Sequence, residues 1–409
     1  MPGLPESLAV LRLRDFRLVF GAFAVSMVGD RMVSIALAFA VLGLGGSASE
    51  VGIVLAARTL PMVGSVLIGG VVADRVSRQR VMVAADLARV VTQGLLAGLL
   101  IAGEPPIWSL AVLAGLTGAA TGFFNPAATG LLPAVVPPEQ LQQANGLRAT
   151  ALSGGEIVGP ALAGVLVATV GPGWALAIDA ATFAVSAAFL VRLRVPARLA
   201  REATSFVHDL RTGWVEFWRR SWVWSVVLAA GFGNLVWASF GVLGPVVADR
   251  DLGGAAVWGT VMAAMGIGAL VGGVTAIRIR PRRPLVLSLL VLTMFALPPA
   301  LLAAEAPTAV LAVGTFLAGA GMMLGISLYE ATLQLRVPSD VLSRVSSYDW
   351  FFSLALQPIG LAIWGPIAAG IGIDEALWLA AGLLLMSILA PLAIREVRTM
   401  PGPLASSDS

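Results

Sequence analysis

Several ionisable side chains lie inside long apolar runs of this sequence. Asp30 and Arg31 fall near the middle of the first run, and Arg58 falls in the second. A charge within a membrane is costly unless it is paired or hydrated, so each is a functional candidate. Adjacent helical residues point about 100° apart, so Asp30 and Arg31 cannot both face one partner. We expect Asp30 to pair with Arg58 or Arg31 and to bind and release a proton; a permanent structural ion pair is the alternative.

Further ionisable residues lie in later runs. Glu156 is in the fifth run, beside small residues, and a buried carboxylate there can serve as a proton carrier facing a central cavity; a purely structural role is the alternative. Asp179, in the sixth run, is interpreted mainly as a structural hydrogen-bond acceptor for a neighbouring helix. Asp86 and Arg89 are one helical turn apart, which indicates a local ion pair rather than a site.

The composition indicates an integral membrane protein. Of 409 residues, 58% are hydrophobic and 12% are charged, and the mean hydropathy is +0.91. Soluble domains carry about twice that charged fraction. There is no cysteine, His208 is the one histidine, and all 26 basic residues are arginine. The sequence therefore predicts no cofactor, no metal cluster and no phosphate-loop lysine. The arginine excess is attributed to one side of a membrane and not to a nucleic-acid partner.

Twelve apolar runs are long enough to cross a bilayer. A charged stretch at 194–220 separates them into two groups of six. The runs lie near 18–44, 49–73, 80–102, 107–135, 146–169, 173–193, 221–248, 255–277, 284–304, 307–334, 344–369 and 375–394. The prediction is an all-α membrane protein with two pseudo-symmetric six-helix bundles. Its parts are a bundle at 1–193, a linker at 194–220, a bundle at 221–398 and a tail at 399–409.

Loop charge predicts the orientation. Arginine is concentrated in the even-numbered loops and at both ends, whereas the odd-numbered loops are mainly acidic. Since cytoplasmic loops carry the arginine excess, both termini are expected in the cytoplasm of a multi-pass cell-membrane protein. In the linker, the spacing of apolar residues over Phe206–Arg220 predicts an amphipathic helix on the inner leaflet, with an unstructured linker as the alternative.

The two halves of the sequence repeat. A shift of 203 takes Gly69, Gly70, Val71, Ala73, Arg75 and Arg80 onto Gly272, Gly273, Val274, Ala276, Arg278 and Arg283. A shift of 201 takes Pro137, Leu141, Gly159 and Gly164 onto Pro338, Leu342, Gly360 and Gly365. Parallel six-helix repeats are typical of two-bundle transporters, whose substrate site lies near the midplane.

The short basic loop between the second and third runs resembles a known signature. Gly70, Ala73, Asp74, Arg75, Arg78 and Arg80 match the loop between helices 2 and 3 of major facilitator superfamily transporters, with Ser77 in place of a glycine. The resemblance implies that Asp74 meets the start of helix 11 and closes a cytoplasmic gate. A basic loop with an incidental aspartate is the alternative.

A second charged group is expected on the same side. Glu330 and Asp349 lie within about two turns of the predicted cytoplasmic ends of helices 10 and 11, where Arg336 and Arg344 also occur. This favours an inner-gate charge network over substrate contact. Breakable ion pairs at such a seam would set the populations of the two transport states.

The fifth run contains small residues one turn apart, which form a close-packing face, and a proline that frees backbone groups. Gly155, Gly159, Pro160 and Gly164 resemble the Gly-x-x-x-Gly-Pro-x-x-Gly-Gly motif of superfamily exporters working as drug–proton antiporters, with Ala163 replacing one glycine. Helix packing alone explains the small residues equally well. Further stretches, such as 124–127 and 144–147, resemble the branch containing macrolide-efflux proteins and the enterobactin exporter.

Polar residues inside the spans, namely Asn125, Asn234 and Gln357, are candidates for a cavity lining together with aromatic residues. Such a lining suits a bulky lipophilic molecule. Taken singly, each aromatic residue is more readily explained by packing or lipid contact.

The sequence therefore predicts a secondary active transporter, not an enzyme, that exports a hydrophobic drug-like or secondary-metabolite compound by alternating access, with a proton gradient as its energy source. The alternatives are a facilitator or importer of a small solute, and a non-transporting receptor or membrane enzyme. The expected partners are the lipid bilayer, a lipophilic small molecule and protons. Nothing in the sequence indicates an oligomer, so a monomer is the default.

Overall fold

The computed structural model describes residues 6–194 and 214–402. Within these ranges the chain is helical and has no strand. The side chains of a few residues within these ranges, including Asp74 and Arg75, are not described. Most of the predicted linker helix lies outside these ranges, and of its described residues, 214–218 are helical.

Six long helices form the first half. After a short 3-10 helix, Glu6–Arg12, they are α1 (Arg14–Gly43), α2 (Ala48–Arg75), α3 (Arg78–Ala102), α4 (Ile107–Val135), α5 (Leu141–Val170) and α6 (Pro172–Val191). The second half contains α7 (Ser221–Val247), α8 (Ala255–Arg278), α9 (Pro284–Leu292), α10 (Leu297–Ala303), α11 (Thr308–Arg336), α12 (Ser339–Ala355), α13 (Gln357–Ile371), α14 (Ile373–Leu389) and the short α15 (Arg395–Thr399).

Two spans of the second half are each built from two helices. A 3-10 turn, Thr293–Ala296, joins α9 to α10, and α10 has proline at its beginning. Leu356 separates α12 from α13, where Pro358 is the second helical residue. Because proline lacks an N–H group, each site interrupts the helical hydrogen bonds. Counting each pair as one, the described residues contain twelve helices able to cross a membrane, which confirms the all-α twelve-span prediction.

Side-chain caps fix where two of the helices begin. Ser47 and Glu50 form a reciprocal capping box at the start of α2, with Ser47 N donating to Glu50 Oε2 at 2.8 Å. Ser77 caps α3, since its Oγ accepts a hydrogen bond from Arg80 N at 3.2 Å. Such caps satisfy backbone N–H groups that have no partner within the helix. The capping role of Ser77 explains why serine is compatible with the position where the signature loop has glycine.

The chain divides into two compact units. The first comprises the six helices of the first half together with Ala248–Ala263, and the second comprises α7 and the chain from Ala264 onward. The beginning of α8 therefore belongs to the first unit by its contacts. The sequence repeat did not indicate this assignment, and the division at 194–220 stays a prediction.

Within each unit, glycines allow two helices to approach closely. In the first unit, Gly122 of α4 lies against the Met62 carbonyl of α2, where a Cβ would be 2.5 Å from that oxygen. In the second unit, Gly319 of α11 lies against the Met265 carbonyl of α8. Small residues at helix crossings are a common means of packing in membranes, where no hydrophobic force drives helices together.

Candidate functional site

A group of charged and polar side chains lies inside the first unit. We call it the buried charge cluster, and it draws on five helices. Its members are Asp30 of α1, Arg58 of α2, Asp86, Arg89 and Gln93 of α3, Thr117 of α4, and Asp179 and Ser186 of α6.

Asp30 is held by two arginines. Its Oδ1 lies 3.2 Å from Arg58 Nη2, and its Oδ2 lies 3.7 Å from Arg89 Nη1. The side chains of Asp30 and Arg58 are 19% and 17% exposed, whereas Arg89 is 1% exposed. The expected pairing with Arg58 is thus present, and Arg89 is a second partner that the sequence analysis did not propose.

Arg89 is enclosed on every side. It forms a salt bridge with Asp86 one turn away, and its Cζ lies 4.2 Å and 4.1 Å from the ring centroids of Phe124 and Phe183. Cation–π contact of this kind strengthens when water is excluded. The second oxygen of Asp86 accepts a 2.6 Å hydrogen bond from Ser186. Asp86 and Arg89 are therefore an ion pair, as expected, but the pair is not confined to α3, because it also contacts Asp30 of α1 and Ser186 of α6.

Asp179 is fully buried and is bonded to neutral donors. Gln93 Nε2 donates to its Oδ2 at 2.8 Å, and Thr182 Oγ1 lies 3.5 Å from its Oδ1. The Oε1 of Gln93 accepts in turn from Thr117 at 3.4 Å. Among the described residues, no arginine forms an ion pair with Asp179. The hydrogen bond to a neighbouring helix that the sequence indicated is present, and α3 is that helix.

Gly29 lets this carboxylate approach α1. A methyl group at Gly29 would overlap the Asp179 carboxylate and would lie 2.6 Å from Thr182 Oγ1. The pair Gly29–Asp30 thus has two functions in one turn, since the glycine makes room for one acid and the next residue supplies another.

Arg31 points to a different partner. Its Nη2 lies 2.9 Å from Glu156 Oε1, and the two side chains are 40% and 43% exposed. The predicted packing motif positions this pair, because Gly155 lies against Met27 and Gly159 lies against the Cβ of Arg31. Gly164 faces the other way, towards Ala255 and Gly259 at the start of α8, in the same unit. The small residues therefore form two packing faces, with Pro160 between them.

The three polar candidates for a cavity lining differ in their surroundings. Asn125 is exposed on α4. Asn234 is engaged in packing, because its Nδ2 donates to the Ser353 carbonyl of α12 at 2.9 Å. Gln357 is half-buried at the first position of α13, directly after the break at Leu356.

The basic loop is anchored to its own unit. Arg78 donates a hydrogen bond to the Gly130 carbonyl, and Gln79 Nε2 donates to the carbonyls of Leu190 and Leu193 at 2.8 and 3.1 Å. Arg80 is exposed. The gate contact expected of Asp74, and the role of Arg75, involve side chains that lie outside the description and stay predictions.

Asp349, the candidate gate acid on α12 of the second unit, has neutral partners. Asp349 accepts hydrogen bonds from Tyr329 at 3.3 Å and from Ser353 at 3.4 Å. Glu330 is exposed on α11, and Arg344 is half-buried on α12. Arg336, which was expected near these acids, donates to the Pro401 carbonyl at 2.7 Å.

Gln93, Thr117 and Ser186 were not singled out from the sequence. One signal was available, because Asp86, Arg89 and Gln93 recur at intervals of three and four residues and so share one face of α3. A polar face on a predicted membrane helix indicates a polar partner inside the protein.

Comparison with known proteins identifies the family. A model described as the Major Facilitator Superfamily matches residues 19–353. The chain is 29% identical to the multidrug efflux pump Tap of Mycobacterium tuberculosis, over 94% of this chain and 95% of the pump. It is 22% identical to macrolide efflux protein A of Streptococcus pyogenes, over 94% and 97%. A crystal structure of a mutant of the nucleoside transporter NupG matches with a TM-score of 0.75 at 12% identity, over 93% of this chain and 99% of that one.

Twelve membrane spans and a transporter fold define a multi-pass transporter of the cell membrane. The chain belongs to the Major Facilitator Superfamily. Its relatives include named drug-efflux pumps, as the sequence motifs implied. Since the family and these relatives are transporters, the enzyme alternative is set aside.

Proposed function

We propose that the protein exports a hydrophobic drug-like or secondary-metabolite compound in exchange for protons. The observation that carries the proposal is the Asp30 carboxylate, partly exposed inside a membrane-spanning unit and shared by Arg58 and Arg89. The names of the relatives Tap and macrolide efflux protein A support the direction and the class of substrate.

A proton can change the structure at this point because Asp30 has one negative charge to share between two cations. Protonation removes that charge and weakens the hold on Arg58, which links α1 to α2. A rearrangement of buried ion pairs can then shift the balance between two conformations. In our proposal the bundles at 1–193 and 221–398 rock about a shared substrate site, with both termini in the cytoplasm and with Asp74 contributing to the inner gate.

The Arg31–Glu156 pair is proposed as a contact for the substrate. Both side chains are well exposed, so either group can exchange its partner for a polar group of a ligand. Such an exchange costs little, because exposed ion pairs contribute at most about 1 kcal/mol.

An efflux screen tests the proposal. Cells overproducing the protein are loaded with a panel of lipophilic dyes and macrolides, and retention is measured with and without a protonophore. We expect at least one compound to be expelled by the overproducing cells, and the protonophore to abolish that export. Export that persists when the proton gradient is collapsed would contradict proton coupling and favour the facilitator alternative. An absence of movement in counterflow assays of purified protein would contradict transport of the panel.

A further inference from the structure

The described part of the buried charge cluster contains more acids than bases. Asp30, Asp86 and Asp179 supply three carboxyl groups, and Arg58 and Arg89 supply two guanidinium groups. If all five were ionised, one negative charge would be unbalanced in the interior of a membrane protein. An isolated buried charge is so unfavourable that the group binds a proton instead.

The three acids differ in what stabilises their charge. Asp30 contacts two arginines, and Asp86 contacts one arginine and accepts a hydrogen bond from Ser186. Asp179 has no arginine within ion-pair distance among the described residues, and its contacts are the neutral amide of Gln93 and the hydroxyl of Thr182. The site that tolerates a neutral carboxyl group best is therefore Asp179.

We propose that Asp179 stores the exchangeable proton between transfers, and that the part-exposed Asp30 binds it only transiently, as the proton passes to and from water. This assignment rests on the proposed proton-driven export. The step is a proton transfer in two stages: a hydronium ion gives its proton to the Asp30 carboxylate and becomes water, and the new O–H bond on Asp30 then breaks as an O–H bond forms on Asp179. Asp30 is left ionised, and the cluster becomes neutral.

The surroundings of Asp179 support transfer from Asp30. The charged groups that act on it are Asp30 from α1, Arg58 from α2 and Arg89 from α3. The helix α5 also packs on α6 but contributes no charged group that acts on Asp179 within the described residues. Gly29 brings α1 directly against the Asp179 carboxylate, and Asp30 is the next residue on that helix.

Infrared spectroscopy of the purified protein in liposomes tests the assignment without requiring transport. A protonated carboxyl group gives a C=O stretching band that an ionised one lacks. At neutral pH we expect Asp179→Asn to remove the intensity of one such group. Arg58→Gln adds one unbalanced negative charge, so it should increase the intensity. Asp251→Asn, which alters an exposed surface ion pair with Arg250, should leave the band unchanged.

Asp179→Asn and Arg58→Gln should change the band intensity in opposite directions, so the test stays informative if one of these two variants fails to fold. An unchanged band in a folded Asp179→Asn protein, or in a folded Arg58→Gln protein, would overturn the assignment. In a flux assay, Asp179→Asn should reduce export to the level seen with a protonophore. If wild-type export does not depend on the proton gradient but Asp179→Asn still loses carboxyl band intensity, the proposed function fails and the assignment of the proton to Asp179 stands. If wild-type export is proton-driven and the band is unchanged in Asp179→Asn, the proposed function stands and the assignment of the proton to Asp179 fails.

Discussion

The side-chain amide of Gln93 lies 2.8 Å from the buried carboxylate of Asp179 and joins α3 to α6 inside the first unit. Among the described residues, it is the one hydrogen bond that α3 donates to this acid. It places an uncharged donor where a cation would be expected. A carboxyl group in such surroundings can exist in its neutral form, which gives the cluster a place for a proton.

Removal of the Gln93 amide should destabilise the protein. In Gln93→Leu the buried Asp179 acceptor loses its partner, and such a loss costs about 1–3 kcal/mol. We expect a lower apparent melting temperature of the detergent-solubilised protein. Gln142→Leu, on an exposed position of α5, is the matched control and should melt within the error of the wild type. Equal melting of the two variants would show that the hydrogen bond is energetically unimportant.

A side chain at Gly29 should separate α1 from α6. In Gly29→Ala the new methyl group overlaps Asp179 and Thr182, and overpacking of this kind costs about 1–3 kcal/mol. Gly98→Ala in α3 provides the comparison, because its methyl group would meet no atom within 4 Å. That control should be neutral or more stable by about 1 kcal/mol, from helix propensity alone. Thermal melting of both variants tests the prediction, and a Gly29→Ala protein as stable as Gly98→Ala would contradict it.

Neutralisation of Asp30 should uncouple export from the proton gradient. Asp30→Asn cannot release a proton and leaves Arg58 with a weaker partner, so we expect export in everted vesicles to fall to its level with a protonophore. The folded state is checked by size-exclusion chromatography. Asp251→Asn serves as the control for the loss of one carboxylate. Full gradient-driven export by Asp30→Asn would remove Asp30 from the coupling role.

The exposed pair Arg31–Glu156 should matter for transport more than for stability. Glu156→Gln is expected to change the stability by about 1 kcal/mol or less, because solvent screens exposed ion pairs. If the pair contacts the substrate, the same variant should raise the apparent KM of export without a matching loss of stability. A large drop in melting temperature would instead assign the pair to the framework of the unit.

The fold could be predicted well because hydropathy reports directly on membrane spans. The breaks between α9 and α10 and between α12 and α13 were missed, although prolines mark both, since an apolar run does not distinguish a continuous helix from an interrupted one. The assignment of Ala248–Ala263 to the first unit was also missed. It depends on close contact between Gly164 and Gly259, which no pattern within one helix can predict.

The candidate site was predicted in part. The pairing of Asp30 with Arg58 followed from the cost of unpaired charge in a membrane. The contribution of Gln93, Thr117 and Ser186 could not be recognised, because isolated neutral polar residues are compatible with a lipid-facing, packed or functional position. The residues that contact them from other helices determine which of these three positions each one occupies.

Arg89 is enclosed between two phenylalanine rings, so we expect the two arginines of the cluster to respond differently when Asp30 is protonated. Arg89 is 1% exposed, so we expect it to keep its contacts with Asp30 and Asp86 throughout the transport cycle. Arg58 is less enclosed, since its side chain is 17% exposed. If Asp30 is protonated during transport, as proposed, we expect Arg58 to separate from it while Arg89 stays in place.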